Sequence, residues 1–118
     1  MTLSMTAYKR GDVVLVLFPF SDQTTTKKRP AVVVSSNLYN NASSDIVIMA
    51  ITSKIDKTTD IGECLITDWQ IAGLLKPSAI KPAISTIEQN LILKKLGSLS
   101  SDDLSSAENA LKKFLDLQ

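Results

Sequence analysis

The chain contains no histidine. That absence excludes a His–Ser or His–Cys nucleophile system and any imidazole metal site, so acid–base chemistry must use Asp, Glu, Lys, Arg, Tyr or a group on the substrate. Cysteine is nearly absent as well. Cys64 stands alone, so it cannot close an intrachain disulfide, and there is no CxxC pair. A reduced, cytoplasmic setting is the default for such a chain, and Cys64 reads as a small, partly buried apolar residue in a strand. No segment approaches the roughly 20 apolar residues of a membrane span. Residues 1–7 have neither a basic region nor an apolar block and read as a loose tail, not a secretory signal. A strong overall charge is also missing. At +1, whole-molecule electrostatics do not announce a nucleic-acid partner.

What is present fits one domain, spanning residues 8–118, with enough apolar residues to bury a core. Charge is unevenly placed: residues 1–57 hold seven basic side chains and four acidic ones, and the rest hold six basic and eight acidic. A basic half beside an acidic half is compatible with a modest anion-binding face.

Residues 11–36, GDVVLVLFPFSDQTTTKKRPAVVVSS, organise the chain. Two β-branched apolar runs, 13–18 and 31–34, read as strands because they are short, Val-rich and closed by Pro, Ser and Asp. Pro30 lacks a backbone donor, which predicts it as the first residue of a second strand over 30–36. Arg29 then sits where a loop (21–28) becomes a ladder, keeping its guanidinium fork on a backbone held still. Taken alone, Lys27, Lys28 and Arg29 read as a solvated cluster that keeps a loop soluble.

Further along, residues 37–44 have the Asn and Ser content of a connecting loop. Residues 45–52, DIVIMAIT, are apolar at nearly every position and predict a third strand covered on both faces. A polar loop (53–61) leads to a short fourth strand over 63–67. Residues 69–77 have no clear period and read as an irregular turn with room for one helical turn. Trp69 reads as a core or interface anchor there. Segments 78–86 and 87–93 look strand-like but broken by Pro82. The end is helical: Ser100 caps, Asp102 and Asp103 sit in the first turn, and Leu104, Ala107, Leu111 and Leu115 recur on one face. Five to seven short strands with one terminal helix predict a mainly β protein, a small bent barrel with the helix covering one side.

An ordered set of segments resembles the MazF/PemK family of toxin endoribonucleases. The set begins with Arg10-Gly11-Asp12, Phe18-Pro19-Phe20 and Lys27-Lys28-Arg29-Pro30. It continues with Ala50-Ile51-Thr52-Ser53, Gly73-Leu74-Leu75-Lys76-Pro77-Ser78, Thr86 and Leu96-Gly97-Ser98-Leu99. It covers nearly the whole chain from Tyr8, and the Lys-Pro-Ser segment looks most like the PemK-like branch. The resemblance implies an SH3-like barrel related to the CcdB gyrase poisons, a homodimer and a cognate antitoxin. Its implied activity is metal- and cofactor-independent cleavage of single-stranded RNA, mRNA included, at short sequences. Arg29 matches the family's catalytic arginine, Thr52 matches the threonine that works with it, and Ser53 lies beside Thr52. Lys81 falls near a basic residue of some members, whereas Pro82, Ala83 and Ile84 depart from the acidic residue and Arg-Thr pair of others. Lys28, Ser53, Lys54 and Lys81 are the RNA-binding candidates; Arg29 and Thr52 are the catalytic ones. Two other readings stay open on the same fold, a gyrase-poison-like binding protein and a catalytically inert module that binds RNA or a protein.

Such chemistry is consistent with the residues. RNA carries its own nucleophile, the 2′-hydroxyl. Arginine can grip two phosphoryl oxygens, but a pKa of roughly 12.5 or more leaves it a poor base. Threonine can hold an oxygen without adding charge. Most of the rate would then come from alignment and electrostatics.

Overall fold

Val13, Val32 and Met49 join one apolar cluster, while Val14, Val33 and Ile48 join another. Adjacent residues of one strand point to opposite faces, so a sheet built from these strands is covered on both sides. This explains why the runs in the sequence are continuous and not alternating. The computed structural model describes residues 7–19, 26–55 and 63–118. Its strands are β1 (Asp12–Pro19), β2 (Thr26–Val33), β3 (Asp45–Thr52), β4 (Cys64–Ile66), β5 (Ser78–Glu88) and β6 (Ile92–Ser98). They form one sheet in the order β4-β5-β3-β2-β1-β6, with every neighbouring pair antiparallel. The sheet curls into a half-barrel, as the mainly β expectation required. The expected tail lies outside the described residues except for Ala7, and so do parts of the two polar loops, 20–25 and 56–62.

Helix α2 (Ser101–Leu115) closes one side. Ser100 caps it by accepting from the Asp103 backbone at 3.2 Å, as the sequence suggested. The Asp103 carboxylate does not turn back to its own cap. It is buried and accepts from the backbone N–H groups of Thr67 (3.0 Å) and Asp68 (2.8 Å), fastening the helix to the chain just after β4. Ala107 is buried and Leu104 and Leu111 pack on the first cluster, whereas Leu115 remains exposed beyond its reach.

Several local expectations are corrected. Residues 37–42 form a helix, α1 (Asn37–Ala42), because Ser36 accepts from the Tyr39 backbone and starts the turn. The buried side chain of Asn40 then finds partners on every side: it donates to the Tyr8 and Ser35 carbonyls, and its carbonyl oxygen accepts from the Ser35 hydroxyl. Pro30 lies inside β2 and not at its start. It is tolerated there because β2 pairs with β3 only at residues 31–33, so Pro30 is laddered to β1 alone. β5 runs through Pro82 without ending, since the β3–β5 ladder shifts register between Met49 and Ile51 and leaves Pro82 outside any pair. The segment expected as a separate strand, 87–93, divides into the end of β5, a 3₁₀ turn at Gln89–Leu91 and the start of β6.

The turn at 67–76 rests directly on β6. Gly73 has φ +80, and a Cβ on it would stand 2.0 Å from the Leu96 carbonyl oxygen; a Cβ on Gly97 would stand 2.6 Å from the Ile71 carbonyl oxygen. Neither neighbour is a side-chain tip that could swing away. Gly97→Ala is therefore expected to destabilise the fold by about 1–3 kcal/mol, read as a lower urea midpoint at unchanged m-value.

Cys64 is buried in β4. Burial pushes its thiol pKa up, and the nearby Asp103 carboxylate adds to the effect. The folded state thus disfavours the thiolate: the related stability is complete below the unfolded thiol's pKa and is lost as pH rises through the folded value. At pH 8 Cys64 should react with a thiol reagent much more slowly in the native protein than in urea, and equal rates would contradict the burial.

Candidate active site

β2 and β3 part company at one point. Their ladder reads Val33↔Ile48, Val32↔Met49, Ala31↔Ala50 and then stops. Continued two residues further, the same register sets Arg29 opposite Thr52. Residues at matched register on antiparallel strands lie on one face of the sheet. Where the pairing ends, a cleft of about 680 Å³ opens, and both residues line it.

The walls come from four parts of the chain. Lys27, Lys28, Arg29 and Pro30 contribute from β2, and Ile51, Thr52, Ser53 and Lys54 from the end of β3. Gly73, Leu74, Leu75, Lys76 and Ser78 enter from the turn before β5, and Leu15, Lys94 and Leu96 from β1 and β6. Six of these residues are basic and none is acidic among the described residues. A molecule with almost no net charge therefore presents one strongly cationic hollow over an apolar floor.

Two hydrogen bonds fix the polar groups. The Thr52 hydroxyl oxygen accepts from the Lys54 backbone at 3.1 Å. One lone pair is thereby used and its O–H proton stays available to donate. Ser78 is buried, and its hydroxyl donates to the Lys76 carbonyl at 2.9 Å, holding the turn that carries Lys76. Thr52 and Arg29 are half-buried, while Lys27, Lys28, Ser53 and Lys54 are exposed. The cleft thus combines half-buried central groups with exposed cations around them. It offers a planar arginine fork, a hydroxyl donor and several ammonium groups, which suits binding a phosphodiester.

Of the residues singled out from the sequence, Arg29, Thr52, Lys28, Ser53 and Lys54 come together here. Lys81 does not line the cleft. Its ammonium lies 3.2 Å from the carboxylate of Glu63, whose side chain is only 3% exposed. Lys27, Lys76 and Lys94 were not assigned to a site from the sequence. Lys27 and Lys76 lie within segments that resemble the family, but Lys94 carries no local signal: only the pairing of β6 with β1 brings it here.

A family profile described as the PemK-like, MazF-like toxins of type II toxin-antitoxin systems matches residues 9–115. The chain belongs to this family. Among solved structures, this toxin is similar to an endoribonuclease from a mycobacterial species in complex with its cognate antitoxin (TM-score 0.75, 20% identity, covering 95% of this chain and 98% of that one). It is also similar to a MazF toxin of Mycobacterium tuberculosis (TM-score 0.74, 17% identity, 91% and 98%). A third similar structure is a MazE–MazF complex from Deinococcus radiodurans (TM-score 0.75, 16% identity, 96% and 100%). A search of curated proteins finds no match. At these identities the structural likenesses establish the MazF fold, including its half-barrel and terminal helix.

The Glu63–Lys81 pair gives a direct test of what Lys81 does in this toxin. Glu63 has one carboxylate oxygen bonded to Lys81, and the other is buried with no hydrogen-bond partner among the described residues. Removing the cation should leave a desolvated charge behind, so Lys81→Met is expected to lower stability by about 1–3 kcal/mol. Lys54→Ala, on an exposed residue, should change it by less than about 0.5 kcal/mol. Thermal denaturation of the two variants side by side reads the difference.

Proposed function

We propose that the toxin is an endoribonuclease that cuts single-stranded RNA, mRNA included, using the Arg29–Thr52 cleft and no metal ion. One observation supports the reading: Arg29 and Thr52 line the same hollow, whose lining holds six basic residues and no acidic one among the described residues. The 2′-hydroxyl next to the scissile phosphate attacks phosphorus in line and expels the 5′-oxygen of the following nucleotide. Arg29 grips the phosphoryl oxygens, where negative charge grows, through two parallel N–H donors. Thr52 donates its free O–H to one of the same oxygens. Lys28, Ser53 and Lys54 contact the flanking backbone. Lys81, held by Glu63, contributes to RNA binding only through its exposed part. The donor set suits a metal-free route, since cationic side chains supply the charge stabilisation that a metal would otherwise bring. The products are a 2′,3′-cyclic phosphate and a 5′-hydroxyl.

As a member of a toxin-antitoxin family, the protein acts in the cytoplasm and is held inactive by a cognate antitoxin. The antitoxin lays an acidic, partly disordered tail over the basic cleft. The similar mycobacterial endoribonuclease bound to its cognate antitoxin, and the MazE–MazF complex, support this partner. The family resemblance also implies a homodimer.

The test is incubation of purified toxin with a mixed-sequence single-stranded RNA in EDTA, with the product ends mapped. Wild type should cut, leaving cyclic phosphate and 5′-hydroxyl ends. Arg29→Ala should lower the rate by about 10²–10³-fold, in line with loss of a central charge-stabilising donor. Thr52→Val should lower it by about 10-fold, which corresponds to about 1.4 kcal/mol. Equal cleavage by wild type and Arg29→Ala would remove Arg29 from the mechanism. Absence of cleavage by folded, antitoxin-free protein would favour a gyrase-poison-like or inert binding role.

A further inference from the structure

A second set of cations lines the cleft away from Arg29, and the cleavage chemistry makes no use of it. Lys94 on β6 pairs with Leu15 on β1, and Leu15 pairs with Pro30 on β2. Directly opposed residues share a sheet face. Lys94, Leu15 and Pro30 therefore form one row, about 10 Å across two strand spacings, and all three line the cleft. Arg29 precedes Pro30 in β2, off this row by strand alternation but in the same cleft lining, and Lys94 stands at the row's far end.

The neighbouring lysine shows how selective this placement is. Lys95 places its ammonium 3.2 Å from Asp12, a buried carboxylate that also accepts from the Ser98 hydroxyl at 3.3 Å. Strand alternation thus sends one of two consecutive lysines to a structural carboxylate and the other to the hollow. Lys94 forms no ion pair among the described residues, and no acidic residue among them lines the cleft. Between Lys94 and Pro30 the floor is the apolar side chain of Leu15, with Leu96 nearby, which leaves little to compete with the lysine for an anion.

We propose that Lys94 binds a second phosphate of the same RNA strand, separate from the one gripped by Arg29, so that the cleft holds its substrate at two backbone points. The proposal rests on the endoribonuclease reading and deepens it. A compact ammonium on a flexible stem suits a phosphate that is held and not transformed, whereas the rigid fork of Arg29 suits the one that reacts. Lys76, also in the cleft lining, adds to the same attraction. Two fixed backbone points orient the strand along the row and limit how far the reacting phosphate can slide past Arg29.

The experiment uses a mixed-sequence single-stranded RNA methylated at every 2′-oxygen, which lacks the nucleophile and survives binding measurements. Affinity is followed by fluorescence anisotropy over a salt series for wild type, Lys94→Gln and Lys113→Gln, the last on the exposed end of α2 and outside the cleft. Each backbone contact on a single strand adds about 0.7 to the slope of log affinity against log salt. Lys94→Gln is expected to reduce that slope by about 0.7, with Lys113→Gln matching wild type. An unchanged slope for Lys94→Gln, with wild type still binding this RNA and cutting the unmethylated form, would overturn the second phosphate site alone. A wild-type protein that neither binds nor cuts would take down the nuclease reading and this proposal together. If Lys94→Gln weakened binding to a Glu-rich peptide but not to RNA, Lys94 would belong to an acidic protein partner and the proposal would fail.

Discussion

The end of the β2–β3 ladder at Ala31↔Ala50 is the constraint on which the rest of the cleft depends. Pro30 has no N–H to contribute, and the described pairing between these strands begins one residue after it. β1 continues alongside β2 through the same stretch, so Arg29 keeps a defined backbone position by pairing with Val16 even where β3 has left. Thr52 is held likewise by Ala79 on β5. Two residues are thus fixed by their outer neighbours while the space between their strands is left open. A ladder running to the strand ends would have closed that space with hydrogen bonds.

The opposite wall depends on close backbone contact. Gly73 and Gly97 let the turn at 67–76 lie against β6 at distances no side chain would permit. The turn is secured again at its start, where Asp103 of α2 accepts from Thr67 and Asp68, and at its end, where Ser78 bonds Lys76. Helix α2 therefore does more than cover apolar surface, since its first-turn carboxylate anchors the segment that brings Leu74, Leu75 and Lys76 to the hollow.

Charge is arranged by the same economy. Basic and acidic residues nearly cancel over the chain, yet three of the described carboxylates are held in ion pairs: Asp12 with Lys95, Glu63 with Lys81, Glu108 with Arg10. Lys27, Lys28, Lys54, Lys76 and Lys94 have no such partner among the described residues and line the cleft. A local cationic field is obtained without a strongly basic protein, which limits indiscriminate attraction to polyanions.

Much of this was legible in the chain itself. Apolar runs with strand composition located β1 and β3, Ser100 with the Leu104-to-Leu111 spacing located α2, and the Arg29-Pro30 and Thr52-Ser53 segments marked residues that do share one cleft. All of these are signals within a few residues, where propensity and side-chain spacing act directly. The errors came where distant contacts overrode local cues. Residues 37–42 looked like a loop until Ser36 capped them and Asn40 found partners across the fold; Pro82 looked like a break until a register shift left it unpaired. Lys81 and Lys94 make the distinction sharpest. Family likeness singled out Lys81 and passed over Lys94, and nothing in the residues around either shows what its ammonium meets. Only the tertiary structure, by setting Glu63 beside one and Leu15 beside the other, decided which was tied to a carboxylate and which opened onto the hollow, because strand pairing joins residues whose separation along the chain carries no record of it.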